Sequence, residues 1–334
     1  MKTPLVYVAL QQFCEADPGP RQLLREAGFE VRENPLGRRL TREELPQLLQ
    51  EADAVLAGVE PYDAQTLAAL PKLRCISRCG IGTDAIDLAA ARRAGITICT
   101  TGDEVIEPVA QLTVAMMLAL ARHLPQHLHD ARDGLWKKRT GALLSEWTIG
   151  LIGFGRIGRK VEQCLRPLAP RILVTDPQVA PTELPSGAAL CPLEQLLAES
   201  DCVSLHVSRP KSEGSLIGKQ EPGRIKPGSV FINTARGYLV DEPALLEALQ
   251  QGRLSGAALD VFEAEPYAGP LASLPQVIIT PHVGSLTRAS RAAMEWQCAR
   301  NVVEFFSGGS RLPGPTRAGG AGKAEGSREK HSLA

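Results

Sequence analysis

The chain is more quickly defined by what it lacks. It has no net charge, with 37 Lys and Arg set against 37 Asp and Glu, so composition gives no ground for nucleic acid or an anionic membrane as a partner. None of its eight cysteines stands in a C-x-x-C pair, which removes the commonest zinc and thiol-redox signatures and leaves reduced, partly buried thiols as the expectation. Long apolar runs are missing as well: residues 5–10 are too short for a signal segment, and residues 112–121 fall short of a membrane span. His123, His127 and His129 cluster, but without the acidic or cysteine partners that a metal centre needs. A cytoplasmic protein without a resident metal is expected.

What is present is a fingerprint. The apolar run 149–152 leads directly into Gly153, Gly155 and Gly158 in G-x-G-x-x-G spacing, and residues 156–168 then read as a helix. Each glycine has its own duty. Gly153 permits the tight turn, Gly155 lets a pyrophosphate approach the backbone, and Gly158 lets helix and strand pack closely. The helix N-terminus favours an anion. A second apolar run, 171–175, ends at Asp176, whose carboxylate suits the ribose hydroxyls of NAD and repels the 2′-phosphate of NADP.

At 334 residues, 44% hydrophobic and 22% charged, the chain is long enough for two soluble domains. Before the glycine motif, apolar runs at 5–10, 30–32, 54–57, 73–77 and 97–99 alternate with helical stretches, which predicts a parallel sheet with crossover helices. Residues 107–123 read as a helix apolar on nearly every face and therefore buried between domains or against a second copy. After the motif, strands at 171–175, 202–207, 229–233, 256–260 and 277–280 join the first to make six. The fold class expected is α/β, with two Rossmann-like doubly wound domains. Residues 288–306 form a final amphipathic helix, and 309–334, with almost nothing to bury, read as a disordered tail.

Arg236, Glu265 and His282 fall at or just after the ends of late strands, where an open parallel sheet gathers its ligands. Hydride transfer to a 2-keto acid needs a cation for the carboxylate, a proton donor near the carbonyl oxygen, and a group that keeps the donor basic. Arginine, histidine and glutamate can supply these.

INTARG, ALDVFEAEP and TPHVGS, in this order after GFGRIG and Asp176, resemble the D-isomer-specific 2-hydroxyacid dehydrogenase family. SRCGIGTDAIDLAAARRAGI and DGLWKK extend the resemblance over roughly residues 5–308 and point to the D-3-phosphoglycerate dehydrogenase branch, in a short form without the serine-binding regulatory domain. The resemblance implies that Arg236 binds the substrate's carboxylate and carbonyl oxygen, that His282 is the acid/base, and that Glu265 favours its protonated form. It implies that backbone N–H groups of Gly80, Ile81 and Gly82 hold the carboxylate, with Arg78 able to meet a phosphate. Arg156, Ile157, His206, Thr234, Ala235 and Asp260 would line the NAD cleft.

The resemblance also implies that the NAD domain, 102–284, is inserted into a substrate domain made of 1–101 and 285–308, with hinges near Thr101 and Ser285; the apolar helix at 107–123, read as the interdomain and dimer helix, makes a homodimer the expectation. Gly58-Val59-Glu60 lacks an arginine common in the phosphoglycerate branch, and Gln111 replaces a common glutamate. A hydroxypyruvate, glyoxylate or phosphonate-type acid is therefore the alternative substrate. An NAD-sensing corepressor is the alternative of another class.

Overall fold

The computed structural model describes residues 3–208 and 214–308; the tail expected at 309–334 lies outside the described residues. Two all-parallel sheets organise the chain. The first has β1 (Leu5–Val8), β2 (Glu30–Glu33), β3 (Ala54–Ala57), β4 (Cys75–Arg78) and β5 (Thr97–Thr100), in the order β2-β1-β3-β4-β5. Helices α1 (Gly19–Glu26), α2 (Glu44–Leu49), α3 (Ala64–Ala68) and α4 (Leu88–Arg93) are the crossovers. Strand residues alternate between two cores: Tyr7 and Val55 face one, while Val6, Val8 and Leu56 face the other. A sheet buried on both sides is what continuous apolar strands require. Asp63 and Asp87 start α3 and α4 by accepting the Thr66 and Ala90 N–H groups at 2.8 Å.

The second sheet runs β12-β11-β10-β9-β6-β7-β8. Its strands are β6 (Thr148–Ile152), β7 (Arg171–Thr175), β8 (Ala188–Leu190), β9 (Cys202–Leu205), β10 (Val230–Asn233), β11 (Gly256–Leu259) and β12 (Val277–Ile279). Six strands were expected and seven form. The addition, β8, is a three-residue edge strand whose Ala188 and Leu190 pack against the core without full burial; three residues are too few to display a strand period. Helices α7 (Arg156–Leu165), α8 (Leu193–Glu199), α9 (Glu221–Arg224) and α10 (Glu242–Gln250) connect these strands. The order places a topological switch between β6 and β9, where their following loops part to opposite faces.

Connecting the two sheets in the chain, α5 (Ile106–Ala121) packs on α7, β10 and β11 and is followed by α6 (Leu124–Arg132). The helix expected over 107–123 is α5, which ends at Ala121; His123 takes φ +50° and separates it from α6. With its preceding turn, the segment Asp103–Ala121 is long and apolar enough to cross a membrane, which corrects the expectation that this region is too short. Its apolar length is used instead for packing, and just over half of it is buried. Burial is not all round either: Gln111, Ala115 and Leu118 form an exposed stripe at helical spacing. After the second sheet, α11 (Arg288–Phe306) returns to the first and packs on α1 and β4 through Met294, Cys298 and Val302.

Candidate active site

Strand ends of both sheets open on one cleft of about 920 Å³. At the switch between β6 and β9, Gly153 adopts φ +93°, and a Cβ there would come within 2.6 Å of the His206 carbonyl oxygen. A Cβ on Gly158 would strike the Gly153 carbonyl oxygen. Gly155 differs, since its Cβ would meet nothing within 4 Å. It is the N-cap of α7 and carries no side chain to occupy the first-turn N–H groups. Two glycines are therefore required by protein packing and the third leaves open space beside bare donors, as an approaching pyrophosphate needs.

Asp176 follows β7 and is braced against this turn. Its Oδ2 accepts the Phe154 N–H at 2.7 Å and its Oδ1 the Gln178 N–H at 2.9 Å. Arg156 is ion-paired with Asp103 and lines, with Phe154, a smaller hollow of about 580 Å³ beside the main cleft. Ile157, His206, Thr234 and Ala235 line the main cleft itself. Burial pushes the His206 imidazole down to about 4, so the ring is neutral at ordinary pH, with Nε2 3.0 Å from the Ser204 hydroxyl. Thr234 meets Thr113 of α5 at 2.9 Å between hydroxyls. These residues fit a dinucleotide: an anion cradle, a carboxylate at the ribose position and an uncharged floor.

At the other end of the cleft, Asn233 shapes the turn that presents Arg236. Its side chain accepts the Ala235 N–H at 3.0 Å and donates to the Arg236 carbonyl at 2.9 Å. Arg236 Nε donates to Asp84 at 2.8 Å across the two sheets. Gly82 lies against the same guanidinium, where a Cβ would collide with Nη2. Gly80, Ile81 and Gly82, on the loop after β4, thus line the same cleft as Arg236, with Gly82 against its guanidinium and Gly80 against Arg78.

His282 Nδ1 stands 2.9 Å from Glu265 Oε2, and Glu265 Oε1 accepts the Phe262 N–H at 3.1 Å. Burial alone would raise the Glu265 carboxyl, but the hydrogen bond and charge of His282 outweigh it and hold the group below its ordinary value. His282 takes φ +55°, a left-handed conformation that costs a non-glycine residue about 1–2 kcal/mol. Asp260 holds that loop in place. One oxygen accepts the Thr280 hydroxyl and the Val283 N–H, and the other accepts the Gly284 N–H at 2.8 Å. Asp260 is 1% exposed and burial raises its carboxyl. Bracing the histidine loop is a role its sequence position did not reveal.

Arg78 lines the far wall with Arg39 and Val59, but its Nη1 donates to the Cys79 carbonyl. The buried Glu60 carboxylate stands near enough to both arginines for their charges to oppose the rise that burial imposes on it. Arg39 donates to the Val59 and Glu265 carbonyls. Arg39 and Asp84 were not anticipated as part of the cleft, nor were Glu60 and Thr113 behind it. Asp84, Asn233 and Glu60 lay inside stretches quoted from the sequence, but without these roles. Among the described residues no group of three His, Cys, Asp or Glu is placed to hold a metal ion.

Comparison with known proteins agrees with this geometry. Residues 114–284 match the family described as D-isomer specific 2-hydroxyacid dehydrogenase, NAD binding domain. A glyoxylate reductase of Thermococcus kodakarensis is 36% identical over 86% of this chain and 90% of its own length. A D-3-phosphoglycerate dehydrogenase of Mycobacterium tuberculosis is 34% identical over 84% of this chain, which spans only 54% of that relative's length. The solved D-lactate dehydrogenase of Aquifex aeolicus, complexed with NAD and lactic acid, superposes with a TM-score of 0.79 at 27% identity, covering 91% of this chain and 96% of that one. With its glycine cradle, paired His282 and Glu265, and two parallel sheets, this chain belongs to the D-isomer specific 2-hydroxyacid dehydrogenase family and is an NAD-dependent enzyme.

Proposed function

We propose that the enzyme interconverts a short D-2-hydroxy acid and its 2-keto acid, with Arg236, Glu265 and His282 as the working side chains. The observation that carries this reading is the His282–Glu265 pair at 2.9 Å, in the same cleft as Arg236 and the Gly80–Gly82 turn. Bound NAD supplies or accepts the hydride. The chain's residues do the rest: Arg236 and the backbone of Gly80 to Gly82 grip the carboxylate, and His282 exchanges the proton of the substrate oxygen. Glu265 orients the imidazole through its contact with Nδ1. Asp176 takes the ribose hydroxyls. The working halves are residues 1–101 with 285–308, and 102–284, closing on each other about Thr101 and Ser285.

For the substrate, the far wall favours an acid with one anionic group, such as glyoxylate or hydroxypyruvate. Arg39 and Arg78 are engaged with carbonyls, and the charge of the buried Glu60 carboxylate already offsets theirs. The phosphorylated acid is the second reading, favoured by the place of Arg78 in the cleft wall. The assay is NADH oxidation with glyoxylate, hydroxypyruvate, 3-phosphohydroxypyruvate and pyruvate. Higher kcat/KM on the unphosphorylated acids is expected. His282→Ala should lower kcat by about 10²–10⁴ with NADH affinity unchanged. A dominant preference for the phosphorylated acid refutes the substrate reading, and an active His282→Ala refutes the mechanism.

The protein is further proposed to be a cytoplasmic homodimer. Leu118, Leu124, Leu128, Leu135 and Leu143 are exposed on and around α5 and α6, and Trp136 is 91% exposed. So many large apolar side chains in one region suit an interface between copies.

A further inference from the structure

The guanidinium of Arg236 does not stand alone. Its Nε donates to Asp84 Oδ2 at 2.8 Å and its Nη1 to the Ala235 carbonyl at 2.7 Å. The other oxygen of Asp84 accepts the Tyr238 hydroxyl at 3.2 Å. Two anchors on different edges fix the plane of a guanidinium. The Nη2 edge is left pressed against Gly82, on the turn opposite.

Asp84 belongs to the loop after β4 of the first sheet, whereas Arg236 and Tyr238 follow β10 of the second. The pair therefore spans the cleft. Arg236 is 30% exposed and Asp84 48%, and an ion pair this open contributes little to stability. Its geometric effect is large by comparison: an arginine side chain has several freely rotating bonds, and an unanchored one must be ordered each time a ligand binds.

We propose that Asp84 is a positioning residue, which holds Arg236 across the cleft with its Nη2 edge aimed at the Gly80–Gly82 turn and so prepares it for the substrate's carboxylate. This rests on the reading that Arg236 binds that carboxylate.

The experiment is a double-mutant cycle on the full chain with Asp84→Ala and Arg236→Lys, reading KM and kcat for the preferred 2-keto acid and the dissociation constant of NADH. Asp84→Ala is expected to raise KM at least tenfold, lower kcat less, and move NADH affinity less than twofold. In the Arg236→Lys background, whose ammonium cannot bridge both anchors, the same substitution should change KM less than twofold, because residues acting as one unit are not additive. Asp84→Asn, which keeps the shape but leaves either Arg236 or Tyr238 without its acceptor, should fall between wild type and Asp84→Ala, and it tests the idea should the alanine variant fold poorly. An unchanged KM in both Asp84 variants overturns the proposal, as does an equal penalty in the two backgrounds. If Arg236→Lys itself leaves KM unchanged, the reading of Arg236 fails and the proposal with it. A harmful Arg236→Lys with harmless Asp84 variants sinks only the role of Asp84.

Discussion

Substituting alanine for Gly155 and, separately, for Gly153 should separate cofactor contact from protein packing. At Gly155 the new methyl meets nothing within 4 Å, and the residue's φ of −72° and ψ of −158° are extended values open to alanine. Two small effects oppose each other there: alanine is a poorer N-cap than glycine, and it narrows the unfolded ensemble. Folding stability should therefore stay within about 1 kcal/mol of wild type. The methyl occupies the open space beside the first turn of α7, so it should hold the pyrophosphate away from at least one N–H. A hydrogen bond to a charged group contributes about 1.5–3 kcal/mol, which is a loss of roughly 10- to 100-fold in affinity.

Gly153→Ala is different in kind. Its φ of +93° costs an alanine about 1–2 kcal/mol. Its methyl would stand 2.6 Å from the His206 carbonyl oxygen, so β9's loop must yield, at about 1–3 kcal/mol for an overpacked site. A fall in Tm on the order of 10 °C follows for a domain of this size, together with weakened NADH binding. The assay is NADH fluorescence titration beside thermal melting of each variant. Wild-type NADH affinity in Gly155→Ala would show that the cofactor does not approach this turn. A Gly155→Ala protein that melts as early as Gly153→Ala would show that the open space is not open.

Two further outcomes are expected. The unfolded chain protonates His206 near its ordinary value of 6.5, while the folded chain resists until about 4. That contribution to stability is whole above 6.5 and is lost as pH falls toward 4, by about 3 kcal/mol at most. Denaturant unfolding at pH 7 and 4.5 should show wild type losing more stability than His206→Gln, and equal losses would refute the assignment. Light scattering should give a dimer for the native chain and a shift toward monomer for the double variant Leu128→Glu, Trp136→Glu; a native monomer would exclude the proposed interface.

Much of the fold was legible in local sequence because its causes are local. Apolar runs alternating with helical periods predicted parallel sheets, and all strands with buried faces were found. The three glycines and Asp176 could be read because one strand, one turn and one helix fix their relations within about thirty residues. The short strand β8 escaped because three residues are too few to display a strand period. The helix α6 escaped because Asp130 is its only buried residue, so it shows no buried apolar stripe.

The site divides in the same way. Arg236, Glu265 and His282 could be named because strand ends in a parallel sheet converge, whichever residues fill the helices between. What they touch could not be. Asp84 meets Arg236 across 152 positions, Thr113 meets Thr234 across 121, and Arg39 reaches Glu265 across 226. The sequence alone determined the chemistry on offer: an anion cradle, a cation, and a histidine with a carboxylate to match. Tertiary structure alone decided which charges neutralise one another, that Glu60 feels the charges of two arginines and that Asp260 holds the histidine loop. Those pairings join residues distant in the chain, some around one sheet and some between the two, and no local periodicity records that.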